Sequence, residues 1–67
     1  MSVVFQRFGE VYIGIGTHAR RWQVIPDTAG GFRLDYRDPG EPRAVYVATF
    51  ATAEEAMAQA DRWRVAS

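Results

Sequence analysis

Thr17 and His18 stand side by side in GIGTHA, residues 14–19, and a hydroxyl beside an imidazole is the first place to look for chemistry. A histidine can take the proton of a neighbouring hydroxyl, but such a dyad works only when a third group orients the base. His18 is the only histidine and the chain has no cysteine, so neither a thiolate site nor a paired-histidine metal site can form. The same six residues fit the pattern G-x-G-x-x-A that cradles a dinucleotide phosphate. That pattern must open a helix inside a β-α-β unit. Here RRWQVI follows, which alternates like a strand, so the glycines read as a bend or bulge. Glu54 and Glu55 are adjacent carboxylates, yet neighbours on a helix do not face each other. They read as a helix start. The expectation is a non-enzyme with no catalytic residue, no metal, no cofactor and no small-molecule substrate.

The arginines are the other chemical candidates. Arg20-Arg21-Trp22 could stack on nucleic-acid bases if the indole were exposed. The plainer reading is a core tryptophan flanked by surface arginines. In FRLDYR, Phe32, Leu34 and Tyr36 point one way and Arg33, Asp35 and Arg37 the other. Carried to the neighbouring strands, this alternation puts Arg21, Gln23, Ile25, Arg43, Val45, Val47 and Thr49 on one outward face. Tyr46, Ala48 and Phe50 then share the inner face. The outward face so drawn carries four arginines and one aspartate, against acids on the outward side of a C-terminal helix.

Those side chains must be held by a very small fold. Thr52 followed three residues later by Glu55 is a capping box. Ala53, Ala56, Met57, Ala60 and Trp63 then recur at helical spacing, which predicts a helix over 53–65. Upstream, RRWQVIP, GFRLDYR and RAVYVATF read as three strands of a β-meander over residues 20–50, separated by DTAGG and by the turn DPGEP. VVFQRFGEVYIGIG reads as two short strands, or one bent strand, around Gly9, a β-rich N-terminal segment over 3–15. The fold class is therefore α+β: an antiparallel sheet of three to five strands with one helix on one face. The expected core is Trp22, Val24, Leu34, Tyr36, Ala48, Phe50, Ala56, Ala60 and Trp63.

With 67 residues the chain is read as a single domain that buries only about 60% of its unfolded surface. Net charge is zero, so the whole-domain basicity of a nucleic-acid binder is missing. No apolar run approaches the roughly 18 residues of a membrane span, and MSVVFQRFG lacks the basic and apolar regions of a signal peptide. A cytoplasmic protein without membrane contact is expected. All eight basic residues are arginine, Asn is absent and alanine is abundant, a bias that fits GC-rich bacterial or phage coding.

The segment FRLDYRDPGEPRAVYVATFATAEEAMAQADRW resembles the arm-binding N-terminal domain of phage-type tyrosine recombinases, through Phe32, Tyr36, Asp38, Pro39, Gly40, Phe50, Thr52, Glu55 and Ala56. The resemblance implies a three-stranded sheet that enters the DNA major groove, with Arg21, Arg33, Arg37 and Arg43 on DNA. The chain is also similar to small uncharacterised bacterial β-β-β-α proteins through Trp22, Val24, Pro26, Gly30, Gly31 and Phe32, a likeness that implies no biochemical role. It departs from the recombinase pattern in lacking lysine and in placing Val45 and Val47 where a DNA face is polar. Valines on an outer face need a cover, either the N-terminal strands or a second copy of the chain. The reading is a protein-interaction or structural module that self-associates through its sheet. The alternative is a DNA-binding module. The candidate face is Arg21, Gln23, Arg33, Arg37, Arg43, Val45, Val47 and Thr49.

Overall fold

The computed structural model describes residues 3–63. Five strands, β1 (Val4–Phe8), β2 (Val11–Ile15), β3 (Arg21–Pro26), β4 (Phe32–Arg37) and β5 (Val45–Phe50), precede one helix, α1 (Ala53–Arg62). Each strand pairs antiparallel with the next, giving an open sheet in the order β1-β2-β3-β4-β5. The N-terminal segment is thus two strands. Gly9, at φ 64°, makes the tight turn between them. They extend the sheet sideways beyond β3 and do not fold over its outer face.

The helix starts where its sequence dictates. The Thr52 hydroxyl accepts from the Glu55 N–H at 3.2 Å, and the Glu55 carboxylate accepts from the Thr52 N–H at 3.2 Å. It ends earlier than expected. Trp63 is extended, at φ −67° and ψ 123°, and its N–H donates to the Ala60 carbonyl. The expectation for 64–65 falls outside the described residues.

Ala53, Ala56 and Ala60 are buried under the helix, and their small size lets its axis lie close to β3, β4 and β5. Trp22, Val24 and Leu34 complete the buried core. Tyr36, Phe50 and Trp63 pack against it partly buried. Ala48 is only half-buried. Phe5 and Tyr12 close the core on the side that the helix does not reach. The Val3 N–H donates to Asp61, which ties the start of β1 to the end of the helix.

One irregularity reorders the faces. Leu34 pairs with Ala48, but the next residue, Asp35, pairs with Tyr46, so Val47 is an extra residue, a β-bulge. Beyond a bulge the alternation changes phase. Val47 therefore turns inward and packs on the core. Val45 pairs with Tyr36 and shares its side of the sheet, though it is exposed. Tyr46 turns outward, where its hydroxyl is 2.8 Å from Thr49 Oγ1. The expected inner place of Tyr46 and outer place of Val45 and Val47 are thus reversed.

Candidate functional site

The uncovered face of the sheet can be written as rows of cross-strand partners. One row is Val4, Ile15, Arg21 and Arg37, from β1 to β4. The next is Gln6, Ile13, Gln23, Asp35 and Tyr46, from β1 to β5. Beyond it, Ile25, Arg33 and Thr49 lie across β3, β4 and β5. The β1–β2 half is apolar, and the β3–β5 half is polar and basic.

The apolar half is open to solvent: Val4 is 74% exposed, Ile15 58% and Phe8 56%. None of the residues drawn onto the candidate face from the sequence lies there, although Phe8 is an aromatic of the N-terminal segment that could be read as lying on an interface. The signal was present in the alternation of VFQRF and VYIGI, but it has meaning only once both strands join the same sheet as β3.

Arg21 and Arg37 are direct partners on β3 and β4, two like charges face to face. Such a placement opposes folding by a few tenths of a kcal/mol to about 1 kcal/mol. Neither has a carboxylate within 4.0 Å among the described residues. Arg33 differs, since its guanidinium lies 3.2 Å from Asp35 Oδ2. Arg43 does not join the face as expected. It is exposed in the loop before β5, which begins only at Val45. The face therefore holds Arg21, Arg33 and Arg37 against Asp35.

Asp35 is the feature that pattern reading missed. Alternation marks it as outward and solvated, yet its side chain is only 7% exposed. Its second oxygen, Oδ1, is buried with no hydrogen-bond partner among the described residues. It lines a shallow depression with Asp27, Arg33, Ala44, Tyr46 and Thr49. A buried acceptor left unmade costs about 1–3 kcal/mol, more when charged.

A second cluster is structural. Arg20 forms a bidentate pair with Asp38, at 2.7 and 3.0 Å, while its guanidinium carbon lies 3.9 Å from the centre of the Tyr36 ring. Tyr36 in turn packs on Trp22 and Trp63. Trp22 is buried and cannot stack on bases. The pair holds the loop after β4 against the loop before β3. The hydrogen bond from Arg20 lowers the Asp38 carboxyl below its ordinary 3.8, and the same bond raises Arg20. A lowered folded-state value stabilises the fold at neutral pH, and that stability is lost as pH falls through the lowered value. Asp38→Asn should therefore cost stability at pH 7, with the gap to wild type narrowing below about pH 4. Thermal melts between pH 7 and pH 3 check this, and a gap constant across that range contradicts it.

GIGTHA does not form a phosphate loop. Residues 17–19 make a single 3-10 turn, with His18 at φ 59° and Ala19 at φ 60°, and β3 follows directly. His18 is exposed, and no group of three or more His, Asp or Glu gathers among the described residues. No helix there is long and apolar enough to cross a membrane.

Fold and face together define an α+β two-layer protein whose antiparallel sheet has a helix on one side and an open, half-apolar surface on the other. No family model, curated protein or solved structure matches the chain.

Proposed function

We propose that this protein is a small non-catalytic interaction module that associates with a second copy of itself through the open face of its sheet. The observation that carries this reading is the apolar half of that face, where Val4, Phe8 and Ile15 stand exposed on neighbouring strands. Antiparallel sheets commonly leave one face to water, but that face is then polar. Removing three large apolar side chains from water favours association, at roughly 25 cal/mol per Å2 of apolar surface.

Ile15→Glu tests the reading. Ile15 is exposed, so the substitution should leave the melting temperature of the monomer within a few degrees. It should abolish the dimer in sedimentation equilibrium, because a charge would enter a dry contact. A wild-type chain that stays monomeric at millimolar concentration refutes the proposal. Val47→Glu is not a fair test of the face, since Val47 packs on the core.

The opposed Arg21 and Arg37 favour a second reading, DNA binding through the basic half. Charge weighs against it, since Asp35 stands among those arginines and the chain carries no net charge. Salt-sensitive amide shifts on β3 and β4 with a short random duplex would support that reading.

A further inference from the structure

Resting on self-association, we infer how the two copies meet: by a two-fold axis that runs across the strands, so that Asp35 of each copy receives Arg37 of the other. An isologous interface must be self-complementary, because each contact occurs twice. The axis can cross the face only where the rows it exchanges match chemically.

Among axes that run across the strands, three lie along or directly beside the row of Asp35. An axis along the row of Asp35 sets that carboxylate against its own copy, which is repulsive. An axis between Asp35 and Arg33 sets Gln23 over Ile25, and it offers Asp35 a guanidinium that already holds an aspartate. The remaining placement lies along Phe5, Gly14, Trp22 and Tyr36, which are partners across β1 to β4 and occupy the alternate positions, those of the helix side. It exchanges the two open-face rows on either side. Ile15 then meets Ile13, Arg21 meets Gln23, and Arg37 meets Asp35. On β2 apolar meets apolar and on β1 Val4 meets Gln6, while on β3 and β4 donors meet acceptors, so the charge match of Arg37 with Asp35 selects this placement.

This placement also answers the two irregularities of the face. Asp35 Oδ1 is already desolvated and lacks a donor, so most of the usual penalty for burying that charge is present before association. Arg37 has no acid of its own among the described residues, and its planar guanidinium supplies two parallel donors. Across the interface, Arg21 and Arg37 each gain an acceptor. Aligned sheets pack about 10 Å apart and about 30° from parallel. The match therefore holds best near β3 and β4, and it loosens toward the edges. Asp35 Oδ1 is buried within the depression, so the guanidinium reaches it only if a lining side chain swings aside, and Tyr46, 58% exposed, has the room to do so.

The test is a charge exchange read by sedimentation equilibrium. Arg37→Asp alone should weaken the homodimer by about 30-fold or more, the loss typical of a truncated buried charge pair. Asp35→Arg alone should do the same, and an equimolar mixture of the two should recover a heterodimer. Should Asp35→Arg fail to fold by circular dichroism, Asp35→Asn combined with Arg37→Gln closes a double-mutant cycle, and the two losses should be strongly non-additive. A wild-type dimer that Ile15→Glu breaks but Arg37→Asp leaves intact overturns this axis and keeps the self-association. A wild-type monomer overturns both.

Discussion

Trp22→Ala should leave the chain unfolded at 25 °C. Trp22 is 3% exposed at the centre of the sheet, with Tyr36 at 5.1 Å and Trp63 at 6.4 Å between ring centres. Arg20, stacked on Tyr36, joins the same group. Replacing a buried tryptophan by alanine costs about 3–5 kcal/mol, because the lost transfer energy is joined by a cavity that the surroundings cannot fill. A fold of this size has only about 3–5 kcal/mol in hand. The substitution therefore removes all or nearly all of it. The cavity would be hard to close, since the buried positions of the helix are alanines, which have nothing to extend into it, and of its larger side chains only Met57 packs on the core. Near-UV circular dichroism should lose its aromatic bands, and urea titration should show no cooperative step. A cooperative melt close to that of wild type would mean that the three-ring cluster contributes little.

Gly31→Ala should destabilise by about 2–4 kcal/mol, the second-largest effect of a single substitution. Gly31 has φ 81°, a conformation that costs an ordinary residue on the order of 1–3 kcal/mol. A Cβ there would also lie 2.5 Å from the Phe50 carbonyl oxygen. Neither backbone can give way easily. The Gly31 carbonyl accepts the Asp27 N–H at 3.0 Å, and Phe50 pairs with Phe32 and precedes the helix cap. Gly30→Ala separates the two causes. Gly30 also has positive φ, at 102°, but nothing lies within 4 Å of its would-be Cβ. It should lose only the conformational part. Urea midpoints at equal slope compare the two variants directly. Equal losses would show that the approach to Phe50 carries no energetic weight.

The parts of the fold legible in the sequence are those that short stretches decide. Thr52 and Glu55 mark a helix start through bonds that span three residues. Phe32, Leu34 and Tyr36 alternate with Arg33, Asp35 and Arg37 because a strand has period two, and β4 pairs with β3 in one unbroken register. The order of strands and helix, the α+β class and the buried Trp22, Val24, Leu34, Ala56 and Ala60 follow from such signals. DPGEP could be read as a turn, but not where the next strand begins. The loop runs on through Arg43 and Ala44, so Arg43 leaves the face.

The face itself was decided by the tertiary structure. Nothing local to RAVYVATF announces a bulge, because a bulge is a mismatch between two strands, here opposite Leu34 and Asp35. One extra residue reverses every side chain beyond it. Tyr46 and Val47 thereby exchange sides, and the apolar part of the open face moves from β5 to β1 and β2. Arg20 and Asp38 are 18 residues apart, and their pairing depends on where two loops end. Asp35 looks solvated by alternation and becomes buried only through its neighbours on other strands. Periodicity and capping act over a few residues, so the chain alone determines its elements. Register, pairing and desolvation depend on which strands are brought side by side, and only the assembled sheet decides which residues it presents to a partner.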